Sequence, residues 1–156
     1  MGKAAGYDKD LFLDWEKIHQ DSIELAARLR KIGEWKGIIG ITRGGMMPAC
    51  IVAQELDIKL VDTLCICSYD YQNMGNSNIL KKPDIENDGE GWLIIDDLVD
   101  TGGTYKVARE LFPKAHFATL YAKPKGTPTT DTFITEYSQD TWVHFPWEPS
   151  SYTEED

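Results

Sequence analysis

The order of apolar and polar positions predicts a helix near the start of the chain. Trp15, Ile18, Ser22, Leu25, Ala26 and Leu29 recur at helical spacing on one face, with Asp14 before them as a cap and Gly33 after them as a stop. "GIIGIT" (37 to 42) is a short, β-branched run that "RGG" breaks, and "MMPACIVAQEL" (46 to 56) predicts a second helix with Pro48 tolerated in its first turn. "KLVDTLCICSY" (59 to 69), "WLII" (92 to 95) and "HFATLYA" (116 to 122) predict strands, and a further helix is expected from about Thr104 to Leu111.

Strands that alternate with helices, several of them apolar on both faces, predict an α/β fold with a mainly parallel sheet and helices on both faces. Ligands of such sheets bind beyond the C-terminal ends of the strands. Residues 70 to 91, "DYQNMGNSNILKKPDIENDGEG", are polar and too long for an ordinary connection, so a lid or a disordered segment is expected there.

Composition narrows the choices. A chain of 156 residues with 42% hydrophobic content fits one domain over residues 1 to 156. The formal net charge of -10 argues against a nucleic-acid partner or an anionic membrane surface, since those are bound by Lys and Arg. No apolar run approaches the roughly 20 residues that cross a bilayer, and "MGKAAGYDKD" has no signal-peptide core, so a cytoplasmic protein is expected. Cys50, Cys65 and Cys67 have no paired spacing and suggest neither disulfides nor zinc; they are expected to be small buried hydrophobes. His19, His116 and His144 show no ligand spacing and are expected to be structural or surface residues.

The chemistry concentrates in "WLIIDDLVDTGGTYKVARE" (92 to 110). Here a strand delivers Asp96 and Asp97, and Thr-Gly-Gly-Thr lies where the chain turns into a helix. Glycines permit close approach, threonine hydroxyls donate, and a helix N-terminus adds partial positive charge, which together make a phosphate cradle. The loop lacks the Lys and the length of a Walker loop and does not match G-x-G-x-x-G. Carboxylates beside it would repel phosphate but accept hydrogen bonds from sugar hydroxyls and bind Mg²⁺, so a ribose phosphate with a metal satisfies both halves. Asp is also a favoured helix cap, yet three acids in five residues exceed what capping requires.

"IIDDLVDTGGT" (94 to 104) resembles the phosphoribosyl-pyrophosphate signature of the type I purine phosphoribosyltransferases, nearest their bacterial branch acting on xanthine and guanine. "EWKGIIGITRGGMMP" (34 to 48), "VDTLCICSYD" (61 to 70), "NDGEG" (87 to 91), "PKAHFATLYAKPKG" (113 to 126) and "QDTWVHFPWE" (139 to 148) resemble it in the same order, over about residues 14 to 150. The resemblance implies the type I phosphoribosyltransferase fold, with a flexible lid loop and a small C-terminal hood over the base.

It further implies a Mg²⁺-dependent transferase that joins a 6-oxopurine to phosphoribosyl pyrophosphate. Guanine, xanthine and, less well, hypoxanthine would yield the nucleoside 5'-monophosphate and pyrophosphate. Asp96 and Asp97 would take the ribose 2'- and 3'-hydroxyls, Asp97 also meeting the metal. Asp100, Thr101, Gly102, Gly103 and Thr104 would enclose the 5'-phosphate, and Asp100 would face N7 of the purine as the catalytic acid or base. "TRGG" (42 to 45) would be the pyrophosphate loop, with a non-proline cis peptide between Thr42 and Arg43, and with Arg43 and Gly44 at the phosphates.

Lys123 would read the base, because a lysine donates hydrogen bonds and accepts none and so suits a 6-oxo group rather than the 6-amino group of adenine. Trp142 would stack on the purine and the Val143 backbone would read its 2-substituent, with Glu148 nearby; Phe145 and Trp147 are expected in core or subunit packing. The lid loop departs from the family pattern: "SYDYQNMGNSNILKK" carries no arginine. Lys81 or Lys82 could substitute, closure could depend on Ser68 and Tyr69, or pyrophosphate could be held less tightly. By resemblance the chain is a homo-oligomer, a tetramer or a dimer, with membrane association at most peripheral. A regulatory relative that senses a ligand without base transfer is the competing reading. A phospho-acceptor receiver is refused by the order of its motifs, since several strands precede the acid pair.

Overall fold

The computed structural model describes residues 6–68 and 77–150. The elements, in order, are β1 (Lys9–Phe12), α1 (Trp15–Ile32), β2 (Gly37–Ile41), α2 (Met46–Leu56), β3 (Val61–Ser68), β4 (Ser77–Lys81), β5 (Trp92–Val99), α3 (Gly103–Leu111), β6 (His116–Ala122), β7 (Thr132–Glu136) and β8 (Thr141–His144).

Six strands form one sheet in the order β4-β3-β2-β5-β6-β7, parallel throughout except for the antiparallel edge strand β4. β2 and the first half of β5 lie at its centre and read as unbroken apolar runs because both their faces are covered. Ile38, Leu93, Ile95, Ala118 and Leu120 face α1 and α2, whereas Ile39, Ile41, Ile94 and Phe117 face α3. The alternation along each strand thus builds two cores, one on each side of the sheet. β1 and β8 pair in parallel as a separate two-stranded sheet, which ties the start of the described chain to its end.

α1 begins and ends as its sequence predicts, with the Asp14 side chain accepting from the Lys17 N–H and Gly33 at the C-cap. Three expectations need correction. Trp15 is 55% exposed. It lies in the first turn, outside the buried stripe that starts at Ile18, and meets the Trp147 ring at 5.8 Å. Cys50 and Cys67 are exposed and Cys65 is half-buried, so none is a core residue. In α2 the core side is taken by Ala49, Val52 and Ala53, and Cys65 and Cys67 sit on β3, next to the sheet edge.

The third concerns the lid segment over 70 to 91. Residues 77 to 81 are strand β4, paired with β3, and a single 3-10 turn spans Asn87–Gly89. "SNILK" has no alternation of polar and apolar residues and residues 78 to 81 are exposed, so its pairing with β3 alone makes it a strand. Tyr69, one of the expected lid residues, lies outside the described residues; Ser68 ends β3.

Candidate active site

β5 outruns β2. Their pairing stops at Gly40↔Ile95, one residue before β2 ends and its chain turns into Thr42–Gly45. β5 itself continues through Asp96 and Asp97 to Val99, still paired with β6. The 42–45 loop therefore lies beside the acid-bearing end of β5. Gly44 is required there: a Cβ on it would sit 2.0 Å from Asp97 Oδ2. The peptide between Thr42 and Arg43 is cis. Arg43 points into solvent with no partner among the described residues, and Thr42 Oγ1 is buried with no hydrogen bond. A buried hydroxyl is ordinarily satisfied, so this one is a donor in waiting at a loop already lined by a free guanidinium.

The two acids are held rigidly by their own strand. The Asp97 N–H donates to Asp96 Oδ1 at 2.8 Å, and the Leu98 N–H donates to Asp97 Oδ1 at 2.7 Å. Dense surroundings push the Asp96 carboxyl well above the usual carboxylate range, and the adjacent Asp97 charge and a hydrogen bond from the pair add to it. Burial also raises Asp97, and the Glu148 charge contributes. The pair therefore retains a proton more readily than free carboxyls do. Sugar hydroxyls or a cation would relieve this repulsion.

Past Val99 the chain reaches Asp100 and turns at Gly102, whose φ of 87 favours glycine and whose Cβ would collide with Thr129. No side chain caps α3, leaving the first N–H groups at Gly103 and Thr104 without the usual acceptor. With Thr101 exposed beside it, this turn has the make-up of an anion cradle.

Asp100 is the hub of the other half. Its Oδ2 accepts from Lys123 Nζ at 3.0 Å and from the Tyr7 hydroxyl at 2.5 Å, while Oδ1 accepts from Gln139 Nε2 at 2.6 Å. Lys123 directly follows β6, and its N–H donates to the Val99 carbonyl at 3.0 Å, which fixes the two residues side by side. Its side chain is only 1% exposed. An ammonium so deeply enclosed needs a partner, and Asp100 supplies it. The solvated-surface alternative for this lysine is thereby excluded.

Trp142 and Val143 stand on β8, opposite Asp10 and Leu11 of β1. Trp142 meets the Tyr7 ring edge-on at 4.9 Å, so it borders the Asp100–Lys123 pair, whereas the Val143 side chain is buried in the core. Phe145 and Trp147 stack on each other at 4.7 Å within the same core. His116 bonds Thr132 and His144 bonds Asp10, both at 2.8 Å, and His19 is exposed, so no histidine enters the site.

Two contributors escaped the sequence. Gln139 lies in a segment whose aromatic residues drew attention, and nothing in a lone glutamine marks it as a partner of Asp100. Tyr7 lies 93 positions from Asp100, and no local pattern points to it. The structure also narrows the lid question. Lys81 is engaged with the Asp62 carboxylate and donates to the Thr63 carbonyl at 2.9 Å, away from the strand-end acids. Lys82 is exposed. No group of three or more His, Cys, Asp or Glu able to hold a metal occurs among the described residues. A metal here would rest on the Asp96–Asp97 end of β5 together with oxygens of a substrate, which is how Mg²⁺ is commonly held.

Fold and site together define a class: an α/β protein with an uncapped helix turn and an acid pair at the strand ends of a mainly parallel sheet, the make-up of a site for a phosphorylated sugar. The chain belongs to the phosphoribosyl transferase family, whose domain model matches residues 9–154. It is 55% identical over 148 residues to the xanthine-guanine phosphoribosyltransferase of Nitratidesulfovibrio vulgaris (strain DP4), covering 95% of this chain and 90% of that protein. It is 57% identical over 146 residues to the protein of the same name from Desulfotalea psychrophila, covering 93% and 90%. Among solved structures, the purine phosphoribosyltransferase of Pyrococcus horikoshii Ot3 superposes with a TM-score of 0.74 at 26% identity, over 90% of this chain and 95% of that one. The type I phosphoribosyltransferase fold and a transferase activity in purine salvage follow.

Proposed function

We propose that the chain transfers the phosphoribosyl group of phosphoribosyl pyrophosphate to a 6-oxopurine. Guanine and xanthine are the preferred bases and hypoxanthine a poorer one, and the products are GMP, XMP or IMP with pyrophosphate. The observation that carries this reading is the enclosed Lys123–Asp100 pair at 3.0 Å beside Trp142. A buried ammonium offers donors only, so a 6-oxo group completes it and a 6-amino group opposes it. The names of the relatives at 55% and 57% identity support the same bases.

In this reading Trp142 covers the purine face and the Val143 backbone meets its 2-substituent. Asp100 faces N7 and holds or moves a proton there as the bond from N9 to C1' forms and the bond from C1' to the pyrophosphate oxygen breaks. Its charge, close to C1', also favours the developing oxocarbenium character. Asp96 and Asp97 accept from the ribose hydroxyls, which relieves their mutual repulsion. Thr101 to Thr104 enclose the 5'-phosphate; Arg43, Gly44 and the unsatisfied Thr42 hydroxyl face the pyrophosphate. Mg²⁺ fits this donor set through Asp97 with substrate oxygens, and when bound it would neutralise charge on the departing pyrophosphate. Ser68 and Tyr69 belong to the lid in this reading, and exposed Lys82, rather than Lys81, is the lysine free to meet pyrophosphate. The enzyme is taken as a cytoplasmic homo-oligomer, a tetramer or a dimer; no helix among the described residues is long and apolar enough to cross a membrane.

The test is a steady-state assay with phosphoribosyl pyrophosphate and Mg²⁺ in which guanine, xanthine, hypoxanthine and adenine are supplied in parallel. Turnover of the three 6-oxopurines with adenine inert is expected. Binding of phosphoribosyl pyrophosphate without conversion of any base would favour the ligand-sensing reading instead.

A further inference from the structure

Tyr7 touches each of the three side chains assigned to the base. Its hydroxyl donates to Asp100 Oδ2 at 2.5 Å, its ring centroid lies 4.4 Å from Lys123 Nζ, and its ring stands nearly perpendicular to that of Trp142, at an interplanar angle of 82°. A 6-oxopurine would use the same three partners: a donor toward Asp100 and electron density toward the Lys123 ammonium, as Tyr7 does, and an aromatic ring against Trp142, stacked where Tyr7 stands nearly perpendicular. With Tyr7 so seated, Lys123 is 1% exposed and has no surface to offer a carbonyl oxygen.

We infer that Tyr7 is a built-in competitor for the base site: its phenol occupies the purine's position between Asp100, Lys123 and Trp142, and a base binds only by displacing it. The inference rests on the base-site assignment proposed above and adds a residue that sets base affinity.

The contact is presented by the fold rather than by a stray end of chain. Immediately after Tyr7 the Asp8 and Lys9 N–H groups donate to the Asp140 carbonyl at 2.9 and 3.1 Å, and β1 then pairs with β8, the strand that carries Trp142. Tyr7 is therefore delivered to the site by the same two-stranded sheet that builds the hood. Its side chain can swing out about its own two torsions while β1 stays paired. Burial, reinforced by the Asp100 contact, pushes the Tyr7 hydroxyl up to about 12, so it remains a donor throughout the physiological range. Among the described residues, the bonds and ring contacts of the Tyr7 side chain go to Asp100, Trp142 and Lys123, not to the Asp96–Asp97 pair or the 42–45 loop. Its effect should therefore fall on the base and not on the sugar phosphate.

A protein whose competent form is only a fraction of the total binds its ligand more weakly by that fraction. Tyr7→Ala, which removes all three contacts, should lower KM for guanine about tenfold, and Tyr7→Phe, which removes only the charge-assisted hydrogen bond, should lower it by about threefold. KM for phosphoribosyl pyrophosphate should stay as in the parent. Calorimetric titration with GMP should show the same order of tightening, with thermal unfolding recorded to confirm that both variants are folded. An unchanged or raised KM for guanine in an active Tyr7→Ala protein would overturn the inference, as would equal falls in KM for both substrates. Failure of the parent itself to convert any base would instead overturn the base-transfer reading, so the two failures are distinguishable.

Discussion

Asp21, buried on helix α1, and Asp96, half-buried in the second half of β5, are acids whose surroundings differ in kind. Asp21 is 4% exposed. It accepts from the Tyr121 hydroxyl at 2.6 Å and from Lys17 Nζ at 3.2 Å, so its charge has a hydroxyl donor and a cation. Asp96 has Asp97 as its neighbour, with Glu148 raising Asp97 in turn, and no cation bonds either acid in any side-chain contact among the described residues. Nearby, the Thr42 hydroxyl lacks a partner and Arg43 points into solvent. The Asp21 network is finished by the chain itself; the strand-end site is finished only by what binds to it. Stability is given up where function needs open valences, which is the usual signature of an active site.

The Asp100–Lys123 pair lies between these extremes, since it is satisfied internally yet is the proposed reader of the base. Asp100→Asn should lower kcat by about 10²- to 10⁴-fold, the range for a lost general acid or base, with phosphoribosyl pyrophosphate affinity by calorimetry nearly unchanged. An unaltered kcat would remove Asp100 from the chemistry. Lys123→Ala should reduce kcat/KM for guanine by about 10- to 150-fold, equivalent to about 1.5 to 3 kcal/mol for a hydrogen bond to a charged group. If KM for phosphoribosyl pyrophosphate rose in parallel, Lys123 would not be the base reader.

The structural network should respond in the opposite currency. Tyr121→Phe leaves Asp21 short of one donor and should reduce the unfolding free energy by about 1 to 3 kcal/mol in urea titration, while kcat and both KM values hold. A kinetic change of tenfold would mean that the two regions are coupled after all.

The smallest expected effect is Asp96→Asn, which should raise stability near pH 7 by about 1 kcal/mol while impairing turnover. The sign follows from the raised carboxyl of Asp96. Its contribution to stability is complete below the ordinary carboxylate range and is lost as pH rises through the elevated folded value. The parent should therefore lose stability relative to Asp96→Asn as the buffer moves from acid to neutral. Parallel pH curves for the two proteins would show that the acid pair is not in conflict.

Much of the site was legible because its parts are contiguous. Asp96, Asp97, Asp100 and the glycine turn sit within nine residues, and strand, loop and helix follow from their order alone. Lys123 was legible as a candidate only through resemblance, since an isolated lysine after a strand is ordinarily solvated. Gln139 and Tyr7 were not legible, because their contacts with Asp100 span 39 and 93 positions and neither belongs to a local pattern. β4 and the β1–β8 pair were missed for a related reason: short strands at an edge carry little periodicity, and only their partners make them strands.

By itself the sequence determined the α/β alternation, the central strands, the caps of α1 and the polarity of the strand-end site, because these depend on neighbours within a few residues: hydrophobic period, Gly and Pro punctuation, and clustered charge. Tertiary structure alone decided that β1 joins β8, that Lys123 is enclosed rather than solvated, and that Tyr7 sits against Asp100. Those outcomes depend on which distant surfaces meet when two cores close on one sheet, and burial and pairing across such distances are properties of the packed chain, not of any segment of it.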